Sequence, residues 1–262
     1  MNTAFTKYLV NQWNKWSSRR WPWVLLMTMS ISGAIIFGYL ILSHSLDYIT
    51  SGITYNNIRS QVRISGSSSA QGEYRPPVDF DKLAQLNPDT VGWLIIKDTP
   101  IDYPIVQGAD NDFYLHNDFH RASSFSGCLF IDSRNARDFS DINTIIYGHN
   151  MRNGSMFGAL KNFREGAYLS AHSDITLYGV REGFDLTPFA VYTAGDIGDY
   201  MKHEFTSEPE FIEWIDAALA KTDVELTYRP QSDERVITLV SCVPGSSTSR
   251  VVMHLAMRPI AN

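Results

Sequence analysis

The chain has 262 residues, of which 44% are hydrophobic and 13% aromatic, so it can bury a substantial core and most of it is not intrinsically disordered. Four of the 22 basic residues lie among the first 20 positions, which contain no acid (Lys7, Lys15, Arg19 and Arg20). The rest of the chain carries 18 basic and 28 acidic residues, a net charge of −10. This balance disfavours a nucleic-acid-binding surface, and no nucleic-acid partner is expected.

A membrane anchor is predicted near the N-terminus. Residues 21–46 contain no charged side chain, and the apolar run at residues 24–42 would span roughly 28 Å as a helix, close to the ~30 Å hydrocarbon core of a bilayer. Four tryptophans cluster at its start, on the same side as the basic residues, so we predict a cytoplasmic segment at residues 1–23 and an uncleaved transmembrane helix at residues 24–43. A cleaved signal peptide is the alternative; the long apolar run and the lack of a small-x-small site disfavour it.

Residues 44–78 are predicted to form a juxtamembrane helix and a flexible linker. Apolar residues at positions 46, 49, 53, 58 and 62 follow one helical stripe. Residues 65–72 are rich in serine and glycine, a composition typical of flexible linkers. The folded domain is therefore expected over residues 79–262.

This domain is predicted to be mainly β. Asp79 can cap a short helix that ends near Gln85, and a later amphipathic helix, capped by Ser207 or Thr206, places Trp214 on its apolar face. A shorter helix is expected at residues 156–163. Short β-type runs separated by turn residues dominate the rest, which favours a mixed barrel or sandwich over a doubly wound sheet (91–97, 103–107, 127–132, 143–147, 175–178, 187–193, 236–242 and 250–257).

The last two strands bring a cysteine and an arginine together. Cys242 ends one strand and Arg250 begins the next, so in an antiparallel hairpin a nucleophile and a fixed cation lie near the mouth of one loop. The other cysteine, Cys128, lies in an apolar strand and is expected to behave as a small buried hydrophobe. With no dense cysteine framework, both are expected to be unpaired.

A base candidate is His149, which follows a β-branched run and Gly148. This position is typical of a side chain exposed at the end of a rigid strand, although a single histidine is more often a surface or structural residue. A free thiol has a pKa near ~8.5, so only a few per cent is thiolate at neutral pH. A nearby histidine would therefore help as a base or as the acid that protonates a leaving amine.

Together these residues resemble the sortases, membrane-anchored cysteine transpeptidases of Gram-positive bacteria, and most of all class B. The cysteine motif of that family, Thr-Leu-x-Thr-Cys, appears as Thr-Leu-Val-Ser-Cys at residues 238–242, its histidine as His149 and its arginine as Arg250. The match extends over about residues 80–257 and includes Asn-Pro-Asp-Thr-Val-Gly-Trp at residues 87–93. The resemblance implies a closed β-barrel of about eight strands with a few peripheral helices, and neither a cofactor nor a metal.

The resemblance also implies roles for individual residues. Cys242 would be the nucleophile, His149 the acid for the leaving amine, and Arg250 the group that holds the substrate and the oxyanion. Asn111 and Leu115 would line the groove for the substrate; turn capping by Asn111 and core packing by Leu115 are the alternatives. Ser241 replaces the usual threonine, which bears on substrate fit, and residues 243–249 contain no acid to complete a Cys-His-Asp triad.

The implied activity is cleavage of a C-terminal sorting signal on secreted proteins, followed by transfer of the acyl group to an amine. The acceptor would be a peptidoglycan cross-bridge or a pilin lysine, and the domain would face the cell wall from the cell membrane. A non-catalytic membrane-tethered binding barrel and a plain cysteine peptidase are the alternatives. Two further patterns carry less weight: His116 and His120 do not make a convincing metal site, and an acidic group is expected to be a solvated face (Asp132, Asp138 and Asp141).

Overall fold

The structure is a computed structural model that describes residues 3–64, 74–195, 198–242 and 249–260. The chain divides into two compact units, Met1–Thr50 and Ser51–Asn262. The predicted flexible linker at residues 65–72 and most of the loop after Cys242 lie outside the described residues. Helix α1 (Thr3–Val62) contributes residues to both units.

The first unit contains the candidate membrane span. The α1 segment Trp23–Leu40 has a mean hydropathy of 1.8 and none of it is buried within the protein. By length and composition this helix can cross a membrane. This span overlaps the predicted transmembrane helix at residues 24–43 and begins one residue before it.

In the second unit, the end of α1 packs as part of the folded domain. Tyr55, Ile58 and Val62 are each at most 2% exposed. Ile53, which we placed on the apolar stripe, is 54% exposed. Because Tyr55, Ile58 and Val62 are separated by three and four residues, they share a helix face, and Ile53 lies off that face.

The remainder of this unit is a closed barrel of eight strands, as predicted. Its strand order is β1-β2-β3-β4-β7-β8-β6-β5. Neighbouring strands are antiparallel except for the pairs β2–β3 and β4–β7, which are parallel. The strands are β1 (Thr90–Ile96), β2 (Asp102–Val106), β3 (Leu129–Ile131), β4 (Asn143–His149), β5 (Ile175–Gly179), β6 (Gly183–Ala194), β7 (Arg235–Cys242) and β8 (Arg250–Pro259).

Short helices surround the barrel. The N-caps of α2 (Phe80–Leu86) and α5 (Glu208–Leu219) are the predicted residues Asp79 and Ser207, whose side chains accept backbone N–H groups of the first turn. The helix expected near residues 156–163 is a 3-10 helix, Phe157–Arg164. Three further helices were not predicted because each is no more than two turns long: α3 (Phe113–His116), α4 (Gly166–Ala171) and a 3-10 helix (Asp199–Met201).

Candidate active site

The parallel pair β4–β7 positions the main site. Its register runs through seven successive pairs from Asn143↔Val236 to His149↔Cys242. Neighbouring strands of a sheet lie about 4.8 Å apart, so the backbones of His149 and Cys242 meet at the same edge of the barrel. Both strands are largely buried and rich in β-branched residues, which make up three of the seven residues of β4 and four of the eight residues of β7, as is usual for parallel neighbours.

The residue before the histidine fixes the packing of β4. A Cβ on Gly148 would lie 2.4 Å from Leu129 Cδ2 and 2.7 Å from Phe157 Cδ2, so this position has no space for a side chain. Because successive residues of a strand point to opposite faces, His149 lies on the other side of β4. Glycine at residue 148 thus lets β4 approach the 3-10 helix closely.

His149 is buried. We expected an exposed side chain at the end of the strand, and this expectation is wrong, since His149 is only 1% exposed. Its Nε2 lies 2.5 Å from the carbonyl oxygen of Leu115. A carbonyl can only accept, so Nε2 carries a proton in this contact, and the protonation of Nδ1 distinguishes the neutral from the cationic ring.

The hairpin of β7 and β8 brings Arg250 toward the same edge. The last pair of its ladder is Val240↔Val252. If the same register continued for two more residues, the backbone of Cys242 would lie opposite that of Arg250. Arg250 is half-buried and pairs on its other side with Ala194 of β6. The side chain of Cys242 and residues 243–248 lie outside the described residues.

Ser241 holds the base of this hairpin together. It is buried, and its Oγ accepts a hydrogen bond of 2.8 Å from the backbone N–H of Val251. The hydroxyl therefore links β7 to β8 between the two residues predicted to carry the chemistry.

The two residues predicted to line the groove, Asn111 and Leu115, lie on the segment that leads into and through α3. The Asn111 Oδ1 accepts a hydrogen bond of 2.7 Å from the backbone N–H of Ser133, so this side chain caps a distant turn. Leu115 is half-buried, and its main chain reaches the active-site edge through the contact with His149. This carbonyl could not be identified from the sequence, because a backbone group carries no residue-type signal.

Asp132 does not belong to a solvated face, contrary to our expectation. Its side chain is fully buried and its two oxygens accept hydrogen bonds of 2.8 and 2.7 Å from Arg134. Tyr147 donates a third, at 3.0 Å. Burial alone would raise the pKa of Asp132, but these hydrogen bonds outweigh it and hold the pKa well below its ordinary value.

Cys128 is not a competing nucleophile. It is a free cysteine, 1% exposed, on the segment that leads into β3. Burial raises the pKa of its thiol to about 12, so it remains protonated near neutral pH. In the part of the chain that the structure describes, no three potential ligand side chains come together as a metal site.

Comparisons with known proteins identify the family to which this chain belongs. The family model described as the sortase domain matches residues 94–258, more than half of the chain. The chain belongs to the sortase family. Sortase B of Listeria monocytogenes serovar 1/2a is 35% identical over 178 residues, which are 68% of this sortase and 72% of that relative.

Further relatives support a class B-like sortase. Sortase B of Staphylococcus aureus strain NCTC 8325 is 27% identical over 221 residues, covering 84% of this chain and 89% of that protein. The crystal structure of sortase B from B. anthracis in complex with AAEK1 has a TM-score of 0.72 and 29% identity, covering 82% of this chain and 99% of that one. The protein is a sortase-type cysteine transpeptidase, a family that acts on sorting signals.

The sortase cysteine motif is anchored in the core by a buried histidine. The Tyr192 hydroxyl donates to His254 Nε2 at 2.9 Å, and His254 Nδ1 donates to Thr238 Oγ1 at 2.8 Å. Thr238 in turn donates to Asn143 Oδ1 at 2.7 Å. Burial lowers the pKa of His254 to about 3, so its ring stays neutral and this chain of hydrogen bonds connects four strands.

Proposed function

We propose that this sortase is membrane-anchored, cleaves a C-terminal sorting signal on secreted proteins through a thioacyl enzyme, and transfers the acyl group to a peptidoglycan cross-bridge amine. The observation that carries this proposal is the β4–β7 register, whose last pair joins His149 and Cys242. The relatives support the reaction class, since they are sortases B.

The first half-reaction forms the thioester. The thiolate of Cys242 adds to the carbonyl carbon of the scissile peptide bond, which is of the Thr-Gly or Thr-Asn type, and the carbonyl oxygen becomes an oxyanion. When the oxyanion collapses, the C–N bond breaks and imidazolium His149 gives a proton to the leaving amine. The second half-reaction reverses these roles: an acceptor amine adds to the thioester, loses a proton to His149 and displaces the Cys242 thiolate.

Arg250 has two roles in this proposal. A guanidinium is permanently charged and presents several donors in one plane, so it can hold the substrate carbonyl and stabilise the oxyanion. Support comes from the hairpin register, which brings the Arg250 backbone toward the end of β7. Asn111, Leu115 and Ser241 would hold the sorting signal.

The proposed orientation keeps residues 1–23 in the cytoplasm, with a membrane helix at residues 24–43. A segment at 44–78 then joins it to the catalytic domain at 79–262, which faces the cell wall. The candidate span Trp23–Leu40 supports the anchor. Protease added to intact protoplasts should remove a C-terminal epitope tag and spare an N-terminal one. Loss of the N-terminal tag alone would show that the protein has the opposite orientation.

The activity is tested with the full-length protein in detergent. A methanethiosulfonate reagent should add one adduct, absent in Cys242→Ala, because the only other cysteine is buried with a raised pKa. Labelled sorting peptides should be cleaved, and added amines should change the product from an acid to an amide. Cleavage that amines do not affect would show a peptidase, and no adduct with no cleavage would refute the proposal.

The acceptor is tested in the same assay with two amines. Oligoglycine represents a cross-bridge and a pilin-derived lysine peptide represents polymerisation. We expect oligoglycine to give the higher yield of amide. A higher yield with the lysine peptide would overturn wall anchoring in favour of pilus assembly.

A further inference from the structure

Gly127 lies directly against the histidine. Its φ is +56°, in the region that favours glycine. A Cβ added there would lie 2.7 Å from Tyr114 O, 2.8 Å from Leu115 O and 3.0 Å from His149 Cδ2. There is therefore no space for a side chain between Gly127, the His149 ring and the Leu115 carbonyl that binds the ring.

Three consecutive carbonyls bind this region together. Tyr114 O accepts from Cys128 N at 3.0 Å, and His116 O accepts from Ser124 N at 2.9 Å. The carbonyl between them, Leu115 O, binds His149. The segment at residues 124–128 therefore fixes the position of the Leu115 carbonyl from both sides.

The end of α1 holds that segment in place. The buried hydroxyl of Tyr55 donates to Gly127 O at 2.7 Å, and Ser51 Oγ shares a hydrogen bond of 2.6 Å with Ser126 Oγ. Tyr55 also packs edge-to-face on Tyr103, with ring centroids 5.1 Å apart. Burial raises the pKa of Tyr55 well above its ordinary value, so the phenol keeps the proton that it donates.

We infer that Tyr55 is a positioning residue for catalysis, which sets the His149 ring through Gly127 and the Leu115 carbonyl. This inference rests on the catalytic role of His149 in the proposed function. Tyr55 precedes the region matched by the sortase domain, residues 94–258. The α1 segment at residues 51–62 is therefore part of the active-site framework as well as of the route to the membrane.

The test compares two tyrosine hydroxyls in the full-length protein. Tyr55→Phe removes the donor to Gly127 and keeps the buried ring. Tyr74→Phe is the matched control, because Tyr74 OH also donates to a glycine carbonyl at 2.7 Å, that of Gly179. Gly179 ends β5, which pairs with β1 and β6 and not with β4.

Tyr55→Phe should lower kcat for thioacyl formation about tenfold, with KM within about twofold, because a misplaced acid affects the transition state more than peptide binding. It should also shift the ring resonance of His149 in protein labelled with ¹⁵N-histidine. Tyr74→Phe should change neither. An unchanged kcat, an unshifted His149 resonance, or equal effects of the control would each overturn the inference.

A second variant and a separate test of the proposed function keep the inference about Tyr55 testable. If Tyr55→Phe does not fold, Ser51→Ala cuts the link to Ser126 at a half-buried position and should lower kcat about threefold, a partial loss for one of two contacts. If His149→Gln and Cys242→Ala retain full turnover, the proposed function fails. The His149 resonance still reports separately whether Tyr55 sets the position of the ring.

Discussion

His149 and Cys242 form the last pair of the parallel ladder between β4 and β7. Their separation is therefore set by the pairing of two buried strands rather than by a loop. The hydrogen bond from His149 Nε2 to the Leu115 carbonyl then fixes the orientation of the ring. A variant that keeps this hydrogen bond and removes the acid separates orientation from proton transfer.

His149→Gln is that variant. A glutamine amide can still donate to Leu115 O, but it cannot exchange a proton near neutral pH. We expect kcat for sorting-peptide cleavage to fall by about 10²- to 10⁴-fold, the usual contribution of a general acid or base, with KM within about threefold. Steady-state kinetics measures both. His149→Ala is the comparison, and a glutamine variant that kept more than about a tenth of the rate would contradict the role of His149.

Asp132→Asn tests the buried ion pair. The substitution removes the charge that Arg134 and Tyr147 stabilise, so we expect a lower free energy of unfolding. The loss should be only about 2 kcal/mol, because Arg134 is partly exposed and can hydrogen-bond to water instead. Because the pKa of Asp132 is lowered in the folded protein, this stability is fully present above the pKa of an aspartate in the unfolded chain, ~3.9. It is lost as the pH falls from that value toward the lower pKa of the folded protein. Denaturant unfolding across that range measures both effects.

Asp138→Asn is the control for this variant. Asp138 is exposed and its Oδ1 accepts from the nearby backbone N–H of Ser140. A surface substitution of this kind should change stability by about 0.5 kcal/mol or less. Equal losses for Asp132→Asn and Asp138→Asn would contradict a special role for the buried carboxylate.

The sequence predicted what depends on local pattern. Short β-type runs separated by turn residues located the strands, Asp79 and one of the two cap candidates, Ser207, are the observed caps, and the hairpin was expected to bring Cys242 near Arg250. These features are encoded within a few neighbouring residues. The closed barrel was also predicted, through the resemblance to sortases.

Features that depend on distant partners were not predicted. Asp132 looked like a surface acid because nothing close to it in sequence indicates its contact with Tyr147, which lies 15 residues away on the next strand. His149 looked exposed because the segments that cover it, through Leu115 and Gly127, are remote in sequence. The parallel pairing of β4 with β7 likewise joins strands separated by much of the domain, and no local pattern specifies it.

His254 predicts a second pH dependence. The unfolded chain takes up a proton on this histidine near pH ~6.5, whereas the folded protein does so only near a pKa of about 3. Below the histidine pKa of the unfolded chain, the unfolded state binds more protons than the folded state. The free energy of unfolding therefore falls with the pH, by about 3 kcal/mol between about pH 7 and about pH 4. Denaturant midpoints across this range measure it. His254→Gln should be less stable near neutrality but should lose this part of the slope; parallel slopes would contradict the assignment.

Ser241 allows the link between hairpin and substrate to be tested with two substitutions. Ser241→Ala leaves the buried N–H of Val251 without its acceptor, so we expect a loss of about 1–2 kcal/mol in unfolding free energy and a lower kcat. Ser241→Thr keeps the hydroxyl that accepts from Val251 and adds one methyl group, so the hydrogen bond and kcat should be retained. If the residue also bears on substrate fit, the threonine variant should change the ratio of kcat/KM values for sorting peptides that differ beside the scissile bond. Chemical denaturation and competition between two labelled peptides measure these effects.

Each of the two roles of Ser241 has its own contradicting outcome. An alanine variant with wild-type stability would show that the hydroxyl does not hold the hairpin. An unchanged ratio of kcat/KM values in the threonine variant would restrict Ser241 to a structural role.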